Sequence, residues 1–219
     1  MAVRSGAVVM AFALLGLAPA AGAVPRSCRV VTDAAGDENV WGLTGDGDLD
    51  VVSADIATNA TYLTAVVRTA TLRDVDTDSP TGRAYYVELW IGGTGFGVFG
   101  ATSPDGTGGY VAKVTGRPGG TSTTSRMIGL PNVRLDVARR EVRMTVPLAV
   151  FTPVLRITKG MVLSNVMVSS SRYAGPASDR HTTPDGSAAL AGGIALEIDA
   201  TAHNGRYVAG TPSCVTPGP

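Results

Sequence analysis

Histidine, cysteine, lysine and glutamate are all scarce in this 219-residue chain. There are two each of the first three and four glutamates, and aromatic residues make up only 5%. Each shortage narrows the chemistry. With histidines only at His181 and His203 and thiols only at Cys28 and Cys214, zinc sites of the His/Cys kind lack donors. The glutamates Glu38, Glu88, Glu141 and Glu197 are scattered, which gives no evident pair of positioned carboxylates for glycoside hydrolysis. Asp179, His181 and the serines Ser169 to Ser171 could be imagined as a hydrolytic triad, but no G-x-S-x-G element sets a serine on a strand-to-helix turn. Those serines read as the polar end of a strand, and the chain reads as non-enzymatic.

A concentrated basic face is also missing. Lysine plus arginine equal aspartate plus glutamate at 18 each. The densest basic patch, Arg134, Arg139, Arg140 and Arg143, falls in what reads as a turn between strands, so nucleic acid is excluded as a partner. Long apolar runs are missing after the first 23 residues. Met1 to Ala23 has one basic residue, Arg4, an apolar stretch from Ala7 to Leu17 and small residues ending at Ala21-Gly22-Ala23, which is the pattern of a secretory signal peptide. The stretch is short for a membrane span, and Cys28, preceded by Pro25-Arg26-Ser27, has no lipobox context.

Residues 24–219 are therefore expected to form one exported domain with no membrane span and a short disordered tail from about residue 215. Without the leader its charge is 18 − 1 = 17 positive against 18 negative, close to neutral. In an exported chain the two cysteines, one near each end, predict a Cys28–Cys214 disulfide. Closing so long a loop is worth roughly 5 kcal/mol in the chain-entropy treatment.

What remains is rich in alternating apolar residues and turn builders, with no long amphipathic helix. Strands are expected at Leu49–Thr58, Tyr62–Thr71, Arg83–Ile91, Gly95–Ala101, Tyr110–Thr115, Ser125–Ile128, Arg134–Val137, Glu141–Pro147, Met161–Tyr173 and Ala195–Asp199. About ten short antiparallel strands point to a single all-β sandwich of jelly-roll or immunoglobulin-like form. Leu148 to Phe151, just after Pro147, reads as a single helical turn.

Acid is concentrated in one place. Of the aspartates, Asp33, Asp37, Asp46, Asp48, Asp50 and Asp55 crowd between Thr32 and Ile56 among Gly36, Gly42, Gly45 and Gly47. Calcium takes its ligands from oxygens alone, and a tight glycine loop can present several carboxylates to one ion. The spacing is not that of an EF-hand, since the sixth and twelfth positions from Asp46 are Val51 and Ala57. A second run, Asp74, Asp76 and Asp78, fails the same test. Asp and Gly are also ordinary turn residues. The clustering nevertheless favours calcium, with Asp46, Asp48 and Asp50 as alternating ligands beside Asp33 and Asp37.

Alternation from Tyr85 to Ile91 puts Tyr85, Val87, Leu89 and Ile91 on one face and Tyr86, Glu88 and Trp90 on the other. That mixed face could stack on sugar rings, as could Trp41 in the glycine-rich loop, although core packing is the commoner fate of tryptophan.

The succession DAAGDEN, LDVVSADIATNATYLTAVVRTATL, RAYYVELWI, VRLDVARREVRMTVPLAVF, LSNVMVSSSRY and SDRHTTPDG resembles secreted bacterial β-sandwich domains of the DOMON-like, family 9 carbohydrate-binding type. The resemblance implies calcium held by Asp33, Asp37 and Asp50 with Asp179 as the distal ligand. It also implies binding to a glycan or cell-envelope component, for which sugar-binding relatives use a pair of tryptophans; the chain's two are Trp41 and Trp90. Haem-binding relatives use Met and His axial ligands, for which His181 and His203 lie in unsuitable loop-like sequence. A structural or protein-interaction domain without a sugar ligand is the alternative expectation.

Overall fold

The computed structural model describes residues 26–37, 47–74, 82–103, 106–117, 122–173, 180–182, 188–190 and 195–218. Fourteen strands are described: β1 (Val31–Thr32), β2 (Val51–Thr58), β3 (Tyr62–Thr69), β4 (Arg83–Ile91), β5 (Thr94–Ser103), β6 (Gly106–Gly116), β7 (Ser122–Gly129), β8 (Asn132–Asp136), β9 (Glu141–Pro147), β10 (Val162–Tyr173), β11 (Arg180–Thr182), β12 (Ala188–Leu190), β13 (Ala195–Ala200) and β14 (Gly205–Val208). One 3-10 turn, Leu148–Val150, follows Pro147.

The strands form a five-stranded sheet in the order β1-β2-β3-β9-β8 and a seven-stranded sheet in the order β13-β10-β4-β5-β6-β7, with β14 also paired to β10. The pairings within both sheets are antiparallel. Period-two alternation directs Ile56, Leu63, Val67, Val142 and Met144 from the first sheet against Tyr85, Val87, Leu89, Phe96, Val98 and Val168 from the second, in one buried cluster. This is the all-β sandwich expected from the sequence.

The outer face of the five-stranded sheet is covered too. On the five-stranded sheet Ala57 and Val66 pack with Val215. The chain end lies across this face: Arg143 Nη1 donates to the Thr216 carbonyl at 2.9 Å, Gly218 N donates to Thr64 Oγ1 at 3.0 Å, and Thr145 Oγ1 donates to the Gly218 carbonyl at 3.2 Å. The disordered tail expected from about residue 215 is thus an ordered strap through Gly218, because outward Thr64 and Thr145 and the apolar Val66 give it partners. Cys28 and Cys214 are disulfide-bonded across a sequence separation of 186. Ser27 and Ser213 form a parallel bridge beside them. The signal-peptide stretch lies outside the described residues.

Candidate functional site

Gly47 to Asp50 is the hinge on which the candidate site turns. Every carbonyl in it is tied down: Thr71 N donates to Gly47 O at 2.9 Å, Tyr85 Oη to Asp48 O at 2.7 Å, Ala70 N to Asp50 O at 2.9 Å, and Ser170 Oγ to Leu49 O. Residues 47–49 form a turn rather than a strand. Alternate side chains there need not share a face, and Asp48 and Asp50 do not.

Asp48 is buried and turned toward arginine. Its carboxylate accepts from Thr71 Oγ1 at 2.6 Å, from Arg73 Nε at 2.8 Å and from the buried Arg83 guanidinium. Burial pushes this carboxyl up, but the Thr71 and Arg73 hydrogen bonds and the Arg83 charge outweigh it and hold it below the ordinary value. The expectation of Asp48 as a metal ligand is corrected: two guanidinium groups already neutralise it.

Asp50 turns the other way. One oxygen accepts from Gly36 N at 2.8 Å, where Gly36 takes a positive φ of 83° that closes the loop after β1. The other, Oδ1, is buried without a hydrogen-bond partner, in a residue only 3% exposed. Asp37, Asp50 and Asp199 each offer a carboxylate oxygen, all within 4.8 Å of one another. Asp33 stands beside this trio: burial raises its carboxyl against the opposing hydrogen bond from Ala34 N, and the charges of Asp37 and Asp50 raise it further. Its Oδ2 is also buried and unpartnered. Asp199 is pushed up to about 6, first by burial and then by Asp33 and Asp37, against the opposing hydrogen bond from Val51 N.

Three carboxylates, those of Asp37, Asp50 and Asp199, thus converge with no ion pair to any of them among the described residues. Two oxygens bound to one calcium at 2.3–2.6 Å are at most about 5 Å apart, so this set fits such an ion. All-oxygen donors favour a hard cation over zinc or copper.

Of the sequence-predicted ligands, Asp37 and Asp50 come together with Asp33 beside them, Asp48 stands apart, and Asp46 and Asp179 lie outside the described residues. In the second acidic run Asp76 and Asp78 are likewise outside them. Asp199 was missed as a ligand. It ends a segment read only as a strand, and the signal that could have found it is that the outermost acid of that strand follows an apolar alternation, Ala195 to Asp199.

The expected sugar platform is different from an open face. Glu88 is fully buried and Trp90 is 5% exposed, with Trp90 Nε1 donating to Glu88 Oε1 at 2.9 Å. Tyr86 and Trp90 lie over glycines of β5. A Cβ added to Gly97 would collide with the Tyr86 ring, and one on Gly95 would stand 3.0 Å from Trp90. Burial pushes the Tyr86 phenol above its ordinary range, with the Glu88 charge adding to it. Glu88 and Trp90 as ligand contacts are therefore corrected, since the two are buried and bonded to each other, whereas Tyr86, packed over Gly97, is only partly buried. Trp41 lies outside the described residues.

A cavity of about 680 Å³ opens at the other end of β2, lined by Thr58, Asn59, Leu148, Arg156, Ile157 and Lys159 among others. No carboxylate lines it.

No protein-family model, no curated protein and no solved structure matches the chain. Among the described residues no helix is long and apolar enough to cross a membrane.

Proposed function

We propose that the protein is a secreted, non-catalytic binding domain of the DOMON-like, family 9 carbohydrate-binding type, braced by calcium and directed to a glycan or cell-surface component. The observation that carries the calcium reading is Asp50 Oδ1, a buried carboxylate oxygen without a hydrogen-bond partner among the described residues, in a residue whose carboxylate converges with those of Asp37 and Asp199. A divalent cation would supply the missing neutralisation. The chain's own residues supply rigid placement: Gly36 N and Val51 N each fix one carboxylate oxygen, leaving the remaining oxygens to converge.

Export is supported by the leader pattern in the sequence and by the Cys28–Cys214 disulfide. Binding rather than hydrolysis is supported by the carboxylate-free cavity lining and by the engagement of Asp48, Asp55 and Glu141 in ion pairs with arginine. A second reading, a structural or protein-interaction domain without a sugar ligand, is favoured by the burial of Trp90 and Glu88.

The test is calcium titration of the purified mature protein, followed by melting temperature, for the wild type and for Asp50→Asn. Binding to the folded state alone stabilises by about 2.7 kcal/mol at a hundred times Kd. The melting temperature of the wild type should rise with calcium and that of the variant should not. A wild type indifferent to millimolar calcium would return the aspartates to the role of turn residues.

A further inference from the structure

The end of the sandwich remote from the aspartates has the opposite chemistry. From Val142 to Tyr173 and from Ala200 to Pro219 the chain has no Asp or Glu, while Arg156 and Lys159 stand exposed at the cavity. Neither has an ion-pair partner among the described residues. The nearest acidic cluster lies at the start of β2, roughly 25 Å away along that strand.

The cavity floor is fixed by backbone and buried side-chain bonds. Gly160 N donates to Ala209 O and Ala209 N to Met161 O, both at 2.8 Å, and Gly210 N donates to Thr58 Oγ1 at 2.7 Å. Thr58 N in turn donates to the hydroxyl of buried Tyr207 at 3.1 Å. The Lys159 stem lies across Gly210, where an added Cβ would be 2.8 Å from Lys159 Cγ. Gly210 has a positive φ of 79°, so the bare backbone is what lets the stem settle there.

The result is a preformed pocket with a partly apolar wall (Leu148, Ile157), polar groups (Asn59, Thr152, Thr158) and two cations. Its size lies within the range of small-molecule sites, which run to about 1,000 Å³. The Asn59 amide is occupied, its Oδ1 accepting from Thr61 N and Tyr62 N and its Nδ2 donating to Pro217 O. The threonine hydroxyls suit a polyhydroxylated body, the apolar wall suits the C–H face of a ring, and the cations suit an anion.

We propose that this pocket binds an acidic saccharide, a sugar unit carrying a carboxylate or sulfate group that is held by Arg156 and Lys159. The proposal rests on the glycan reading above for its ligand class, and on the cavity and its charge for its place.

The experiment is calorimetric titration of the calcium-loaded, disulfide-bonded protein with an oligogalacturonate, a sulfated oligosaccharide, neutral cello-oligosaccharide and inorganic sulfate. The wild type should bind an acidic oligosaccharide, and Arg156→Ala/Lys159→Ala should weaken that binding by about tenfold or more, as loss of charge-assisted bonds requires. Which acidic sugar binds distinguishes carboxylate from sulfate. Ala149 also lines the cavity and is exposed, so Ala149→Trp, which adds bulk there, should abolish binding with an unchanged melting temperature. Acidic or neutral sugar binding unaffected by these variants would overturn the pocket assignment while leaving the glycan reading standing. Binding of inorganic sulfate as tight as that of the oligosaccharides would overturn the saccharide assignment. Absence of binding by every saccharide would overturn both.

Discussion

The carboxylate of Asp199 accepts a hydrogen bond from the backbone amide of Val51 at 2.7 Å, across 148 residues of sequence. Asp199 belongs to β13 of the seven-stranded sheet and Val51 opens β2 of the five-stranded one, so this bond crosses the seam of the sandwich. A cation among Asp33, Asp37, Asp50 and Asp199 would clamp the two sheets at the same place.

Asp199→Asn keeps an oxygen for Val51 N and removes a charge from the crowded cluster. The metal-free variant should melt at or above the wild-type temperature, and its stabilisation by calcium should be lost. Asp199→Ala also strands a buried amide and should cost about 1–3 kcal/mol even without metal. Calorimetric melting with calcium and with chelator separates the two effects.

The pH dependence has a definite sign. The Asp199 carboxyl is raised to about 6 in the folded protein, so the folded state holds a proton that the unfolded state has already released. The contribution of this group to metal-free stability is therefore present below the ordinary carboxylate value and is lost as pH rises through about 6. Calcium needs the ionised form, so its affinity should fall as pH drops through the same region. Melting curves with and without calcium should converge toward pH 4 and separate above pH 6. Parallel curves across that range would contradict the assignment.

Asp48 should behave in the opposite way. Its carboxyl lies below the ordinary value, so its contribution is present above that value and is lost on acidification. Asp48→Ala removes the carboxylate that binds Arg73 and the buried Arg83 and should destabilise by about 3–5 kcal/mol. Stabilisation of Asp48→Asn by calcium should match that of the wild type, which a direct ligand would not allow.

The glycine pair beneath the aromatic rings gives a packing test. Gly97→Ala forces the Tyr86 ring off its seat and should cost about 1–3 kcal/mol. Denaturant unfolding measures it.

Much of the fold was legible because strand period and turn residues act locally. Arg83–Ile91 and Glu141–Pro147 fall where alternation put them, and the turn after Pro147 forms as its fixed φ allows. The errors arise where distant segments decide. Spacing put Asp48 beside Asp50, but the tie of Tyr85 to the Asp48 carbonyl and the arginines of distant segments turn the two apart. Alternation separated the faces of β4 correctly, yet it is blind to what covers the outer face. The clue to Trp90 lay one strand later, in Gly95 and Gly97, which leave room for a ring only once the register of β4 with β5 is known. Asp199 reaches the cluster through the β10–β13 register, where it pairs with Ser170, and no local pattern carries that. The strap after Cys214 was lost for a similar reason: its polar, proline-containing sequence says nothing of the sheet face beneath it.

The Cys28–Cys214 bond also decides how the domain responds to mechanical load. A pull applied to the two chain ends reaches the covalent bridge once the strap after Cys214 has peeled from the face of β3 and β9. Beyond that point tension runs through sulfur, and the 186-residue span that contains both sheets carries none of it. In an oxidising setting the sandwich is shielded from shear, whereas a reductant would expose its strands to the full force.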